Sequence, residues 1–529
     1  MTLLTLSLVV SAAALTAHAA IGPVADLPIV NMDLAPDGTT RPTVLAAGTF
    51  PGPLIRGNKG DNFRIDVINQ LSDTQMDIDT SIHWHGLFQK GTNWADGPAM
   101  VTQCPIIPDH SFLYDFNVPD QAGTFWYHSH LGLQYCDGLR GAFVVYDPND
   151  PHKNLYDVDD ESTVLTIGDW YHVPSPQEGG PPSADSTLFN GKGRFRDDPT
   201  ADLFVMNVDK GSRYRIRLVS IACDPWFDFA IDGHNFTIIE ADGESTQPHT
   251  VDALRIFAGQ RYSIVLTADQ DVGNYWIRGN PNPASSIAGF DGGINSAILR
   301  YNTAPVEEPT TQLATPQIPL REQDLVALTN PTVPGTHTLG AADINIPLNF
   351  AFDAANALFA VNNFTFVPPN VPVLLQILSG AHTPQDLLPS GSVYTLERNK
   401  VVELTLLPLA LAGPHPIHLH GHSFYVVKSA GTTQLNWDNA VRRDVVALGT
   451  TAGDNVVIRF ETDNPGPWFL HCHIDFHLEL GFAAVFAEDP EGTSAANPVP
   501  PAWDELCPLY ENSHSRPLTQ GTNDNNLQP

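Results

Sequence analysis

Apolar and polar residues alternate with a period of two in many short stretches, among them Phe63-Arg-Ile65-Asp-Val67 and Tyr214-Arg-Ile216-Arg-Leu218. Side chains along a strand point alternately to its two faces, so this pattern predicts half-buried strands. Three other segments place an aromatic-rich run at equal spacing after a glycine: Gly123-Thr-Phe-Trp-Tyr-His128, Gly273-Asn-Tyr-Trp-Ile-Arg278 and Gly466-Pro-Trp-Phe-Leu-His471. Each is followed by an apolar run, Gly141–Tyr146, Ala297–Tyr301 and Phe482–Phe486 respectively. One β-sandwich unit repeated three times accounts for the pattern, and an all-β fold of Greek-key sandwiches is expected. We place the units at 20–150, 151–320 and 321–529, with the second boundary inside the Pro/Thr/Gln-rich stretch Pro305–Pro319.

Length and composition agree with this reading. A chain of 529 residues exceeds one ordinary core, and its 45 prolines suit short strands and turns. A formal charge of −33 repels a phosphate backbone and excludes nucleic acid as a partner. The apolar run Leu3–Leu15 followed by Ala17-His18-Ala19 reads as a signal peptide over residues 1–19, with a buried first strand as the competing reading. No later stretch of 18 apolar residues exists, so no membrane span is expected. The sequons at Asn235 and Asn363 fit a secreted, extracellular glycoprotein. The last dozen residues are polar and are expected to fray or to tuck into a cleft.

The five cysteines are Cys104, Cys136, Cys223, Cys472 and Cys507. Exported proteins pair their cysteines, so an odd count leaves one thiol for other work. Cys472 is the candidate because it lies between two histidines; the remaining four allow three pairings.

The first unit contains His83-Trp-His85 and, later, His128-Ser-His130; the third contains His418-Leu-His420 and, later, His471-Cys-His473. The middle unit has neither, and Arg278 stands where the others place a histidine. On a strand, a His-x-His pair sends both imidazoles to one face. One such pair is more often an accident of surface or core, but four pairs matched across two repeats imply a metal site of eight imidazoles. By the same alternation the Cys472 sulfur faces away from His471 and His473 and belongs to a second centre. His415 and His477 complete a His₂Cys set, the ligand pattern of a blue-copper electron-transfer site. Zinc accepts the same donors, yet it is redox-inactive and gives no reason to wire one centre to another.

These motifs resemble the four copper signatures of multicopper oxidases over essentially the whole mature chain. The wording around Ile21–Leu27 and His471–Phe482 is most similar to fungal laccases. The resemblance implies three cupredoxin domains and four copper ions. It implies His83 and His418 at a type 2 copper. His85, His128 and His473 would hold one type 3 copper, and His130, His420 and His471 the other. It further implies His415, Cys472 and His477 at a type 1 copper, with His422 not a ligand and Phe482 at the axial, non-coordinating position. A missing axial thioether raises the type 1 potential and suits phenols as substrates; the plainer reading is that Phe482 packs its strand. Ile417 and Leu480 depart from the usual residues beside the type 1 site.

The resemblance also implies Asp224 as the acceptor of a phenol's proton, against a simple turn role, and Asp96 and Asp475 as proton relays, against caps or loop residues. It pairs Cys104 with Cys507 and Cys136 with Cys223. The activity implied is one-electron oxidation of phenolic and related aromatic reductants coupled to reduction of O2 to two waters, with electrons entering at His477 and passing through Cys472. A monomer is expected. Ascorbate oxidase, ferroxidase and a non-enzymatic copper protein are the rival readings, and the five methionines are few for copper storage. Lignin breakdown, pigment formation and detoxification use the same active site, so the sequence singles out no biological role.

Overall fold

In the computed structural model, which describes residues 20–178, 181–411 and 413–514, strands fall into paired sheets in chain order. The signal peptide expected over 1–19 and the polar C-terminal stretch lie outside the described residues. The first sandwich packs the strands Arg41–Ala46, Val24–Leu34, Asn62–Asn69 and Ser111–Asn117 against Gly52–Asn58, Arg140–Tyr146, Gly123–Ser129 and Ile82–His85. The second, between Val164 and Tyr301, joins a seven-stranded and a five-stranded sheet. The third, between Ile344 and Glu488, has two five-stranded sheets and a hairpin of Phe350–Asp353 with Leu358–Val361. Between Tyr301 and Ile344 the chain forms no strand; single bridges at Pro319 and Ala327 tie it to the second sandwich, and the amides of Ala327 and Val333 donate to Ala440 O and Trp437 O of the third.

The three glycine-led aromatic segments become equivalent hairpins. Gly123–Ser129 pairs with Arg140–Tyr146, Asn274–Pro281 with Ser296–Tyr301, and Gly466–Cys472 with Ala483–Glu488. Alternation is realised cleanly in Asn62–Asn69, where Phe63, Ile65 and Val67 are fully buried and Arg64 is exposed. Arg213–Ser220 differs, because its polar face is buried as well. Arg215 there pairs with Asp150 and Glu240, and Arg217 with Asp159 at 2.7 Å. Pairing offsets the desolvation of each guanidinium, which lets a strand that reads as half-exposed lie inside.

Two disulfides tie the units together. Cys104–Cys507 spans 403 residues and fastens the C-terminal helix Leu506–His514 to the first sandwich. Cys136–Cys223 joins the first sandwich to the second, and Cys472 is free and buried. A cross-link over so long a loop strongly restricts the unfolded chain. Replacing Cys104 and Cys507 by serine is therefore expected to destabilise the protein by about 2–5 kcal/mol. Calorimetry checks this, and an unchanged melting temperature would contradict it.

Candidate metal centre

Strand register brings the histidines together within each unit. In the first sandwich His83 lies opposite His128; in the third His418 lies opposite His471. The amide of His130 donates to Ser81 O at 3.1 Å and that of His473 to Pro416 O at 2.7 Å, each acceptor two residues before the facing motif. The same local construction therefore aims four imidazoles from each unit at the interface between them. In the middle sandwich Arg278 occupies the matching place and forms a buried 2.7 Å pair with Asp232.

Across the interface the rings interleave. His83 stacks on His420 with ring centres 3.9 Å apart, and His85 on His418 at 3.8 Å. His128 faces His473 at 5.3 Å, and His130 faces His471 at 5.1 Å. All eight are buried, yet the Nε2 atoms of His83, His128, His130 and His418 have no hydrogen-bond partner. Each such orphan costs about 1–3 kcal/mol, so four in one cavity point to a bound species that accepts lone pairs. Burial first, then repulsion from neighbouring rings, pushes His85, His128, His130, His418, His420 and His473 well below the usual imidazole range. Burial brings His471 down to about 3. Neutral rings with free lone pairs are what a metal cation requires. Their nitrogens gather as His85/His128/His473, His130/His420/His471 and His83/His85/His418.

Cys472 points the other way, into a set with His415 and His477. Its Sγ lies 3.6 Å from His415 Nδ1 and 3.7 Å from His477 Nδ1, and the two nitrogens are 3.1 Å apart. The point equidistant from these atoms is about 2 Å from each, the length of metal–imidazole and metal–thiolate bonds. His415 Nε2 donates to Leu411 O at 2.8 Å, which leaves Nδ1 free to ligate. Burial lowers His415 to about 4 and His477 to about 3, and raises the Cys472 thiol. A cation at this point supplies the charge that a buried thiolate needs.

The strand Gly466–Cys472 ends at the cysteine, and a short helix Asp475–Glu479 follows. The Asp475 amide turns aside to Cys223 O, and the His477 amide closes back on Ile474 O. That turn returns His477 to the sulfur, and it is the one ligand of this set that reaches solvent. Phe482 donates no ligand atom: its ring centre lies 5.2 Å from that of His415 and stacks on Phe359, whose own ring is 4.6 Å from His477. Phe359 carried no sequence signal, since it arrives from the separate hairpin.

Sequence models of the multicopper oxidase family match residues 29–150, 161–304 and 366–492. The chain belongs to the multicopper oxidase family. Among curated relatives, laccase-1 of Pleurotus ostreatus is 60% identical over 93% of this chain and 94% of its own length. A laccase of Trametes hirsuta is 60% identical over 96% and 97%. Among solved structures, the laccase of Botrytis aclada superposes with a TM-score of 0.81 at 32% identity, covering 95% of this chain and 94% of its own. Fet3p, a multicopper oxidase that functions in iron import, gives 0.81 at 28%, covering 92% and 95%. The protein is thus an oxidoreductase whose family binds copper, and its three sandwiches are cupredoxin-like.

In this multicopper oxidase the first histidine motif of each outer unit, His83-x-His85 or His418-x-His420, is braced by an aspartate of its own unit and one of the other. The Asp96 carbonyl takes the Nδ1 of His83 at 2.8 Å, while its carboxylate reaches His420 Nδ1 at 2.8 Å. Asp444 repeats this with exchanged units: its carbonyl takes His418 Nδ1 at 2.9 Å and its carboxylate lies 3.1 Å from His85 Nε2. Asp96 was legible in the sequence. Asp444 was not, because it lies 24 residues after His420 and only the pseudo-symmetry marks it. Gly97 holds Asp96 in place: a Cβ there would sit 1.8 Å from Ile82 O, and its φ is +98°. Asp475 is buried, and burial with Glu479 pushes its carboxyl well above the usual range. Tyr135 OH, which donates to Ala222 O at 3.1 Å, fills the space next to it and lies 3.4 Å from His473 Nδ1.

Asp224 is half-buried and follows Cys223. Burial and the neighbouring Asp169 push its carboxyl up to about 7, against a hydrogen bond from Ser285. His422 pairs with Glu488 at 3.0 Å, well occupied away from the cluster. Ile417 lies opposite Cys472 on the adjacent strand, and the Leu480 carbonyl holds the amide of Phe359. Asn235 and Asn363 are both exposed. Among the described residues no helix is long and apolar enough to cross a membrane.

Proposed function

We infer that the protein is a laccase, oxidising phenols and related aromatics by single electrons while O2 is reduced to two waters. The observation that carries this is Cys472, a buried thiol whose sulfur joins one donor set while its two chain neighbours join two others in the facing cluster. Four copper ions fit the donors: one at His415/Cys472/His477, one at His83/His418, one at His85/His128/His473 and one at His130/His420/His471. Bound copper supplies one-electron redox chemistry at the first set and O2 reduction at the other three.

The remaining steps belong to the chain's own residues. His477, the solvent-reaching member of its set, offers the edge against which an aromatic substrate docks. Phe359 and Phe482 exclude water from the inner side of that set. Asp224 accepts the phenolic proton, so that the substrate leaves as a neutral radical; a carboxylate with raised proton affinity is the better base. Asp96, against His83 and His420, and Asp475, beside Tyr135 and His473, relay protons to reduced oxygen. Four phenols release four electrons and four protons, which balances O2 going to two waters. Identity of 60% to laccases, against 28% to the iron-import oxidase, favours phenols over ferrous iron. We further take the protein to be secreted, glycosylated at Asn235 and Asn363, monomeric, and divided at 20–150, 151–320 and 321–529.

Oxygen uptake decides the substrate class. Uptake is expected with a simple phenol at the copper-loaded enzyme. Uptake with ferrous iron or ascorbate and none with phenols would overturn the reading.

A further inference from the structure

Asp224 lies between the strands Arg213–Ser220 and Phe227–Ile231, and its backbone is held by one neighbour in particular. Asp169, fully buried on the strand Val164–Trp170, takes the Cys223 amide at 2.9 Å and the Asp224 amide at 3.0 Å on its carboxylate. The Tyr171 hydroxyl donates to the same carboxylate at 2.9 Å. Arg140, reaching across from the first sandwich, donates Nη1 to Asp169 Oδ1 at 2.9 Å and Nη2 to Asp169 O at 2.7 Å. The same guanidinium also holds the carbonyl of Ile221. The chain from Ile221 to Asp224 is thereby fixed at three successive points by one buried ion pair.

We propose that Asp169, held by Arg140, is a positioning residue that fixes Asp224 against the substrate and sets the pH at which it takes the phenolic proton. This rests on the reading of Asp224 as proton acceptor. The titratable or charged groups facing Asp224 are Asp169, Tyr171 and Cys472; those facing Asp169 are Arg140, Tyr135, Tyr171, Asp224 and Asp475. Asp169 is the carboxylate among them whose charge acts on Asp224, and like charge disfavours ionisation. Phenol oxidation needs Asp224 ionised, so its kcat/KM rises with pH through that ionisation. Removing the Asp169 charge makes Asp224 ionise more readily and moves the rise to lower pH. A donor that releases no proton does not depend on Asp224.

The test compares kcat/KM against pH for 2,6-dimethoxyphenol and for ferrocyanide, in the copper-loaded native enzyme, Asp169→Asn, Tyr171→Phe and Asp224→Asn. Infrared difference spectra against Asp224→Asn read the titration of the Asp224 carboxyl directly. Asp169→Asn is expected to shift both the phenol limb and the infrared titration to lower pH by on the order of one unit, leaving ferrocyanide unmoved. Tyr171→Phe keeps the charge and strips a donor from it, so it shifts both in the opposite direction; it also serves if the asparagine variant fails to fold. Loss of the phenol limb in Asp224→Asn with no shift in either neighbour variant overturns the role of Asp169 alone. An unchanged phenol profile in Asp224→Asn overturns the proton-acceptor reading itself. Equal shifts for phenol and ferrocyanide overturn the positioning role, because they place the effect on electron transfer.

Discussion

Serine at position 472 is expected to reduce oxygen uptake with phenols to background while leaving the eight-imidazole cluster able to bind metal. The hydroxyl is close in size to the thiol but supplies no soft thiolate, and copper selects sulfur at such a His₂Cys set. Backbone hydrogen bonds at this position, Cys472 N to Phe482 O at 3.0 Å and His473 N to Pro416 O at 2.7 Å, do not involve the sulfur. The fold and the facing of His471 and His473 therefore survive. Metal analysis of Cys472→Ser should find one copper fewer than the native enzyme, and the strong visible absorption of a copper–thiolate pair should vanish. Undiminished uptake in this variant would remove the sulfur from the electron path.

Asp444→Ala is expected to cause the second large loss, this time in assembly. The Asp444 carboxylate receives two hydrogen bonds from Arg261 of the second sandwich, both at 2.7 Å, and approaches His85 of the first. All three side chains are buried. Deleting one partner of a buried pair costs about 3–5 kcal/mol, reduced here because Asp242 still lies 3.8 Å from the Arg261 guanidinium. The guanidinium of Arg261 also carries its positive charge beside His85, where a metal cation must bind. The variant should melt lower and retain less copper at the interface of the first and third sandwiches. Calorimetry and metal analysis check both parts; a native melting point with full copper content would contradict the argument.

The histidines and the cysteine that the structure gathers into donor sets were all legible in the sequence, and the reason is geometric. A His-x-His on a strand has only one way to point, and register across a two-stranded hairpin is fixed by the core face it must bury. Cys472 followed from the same alternation. What escaped notice was delivered by long-range packing. Asp444 braces His418 from 26 residues away and His85 from 359. Phe359 reaches His477 from a hairpin, and Asp169 reaches Asp224 from the strand Val164–Trp170 of the middle unit. None of these leaves a spacing signature. The strand Arg213–Ser220 misled in the opposite direction, since its arginines look solvent-facing until their buried acidic partners are known.

The middle sandwich, with Arg278 paired to Asp232 where its relatives place histidine, holds none of the metal ligands proposed here. Yet it supplies Asp224 at the substrate side, Arg261 beneath the cluster, and Gly259, where a Cβ would come within 2.9 Å of His473. The catalyst is consequently indivisible. Joining the first and third units directly would preserve every proposed ligand and lose the proposed base, Arg261 and Gly259. Attempts to shrink this protein should therefore keep the middle unit.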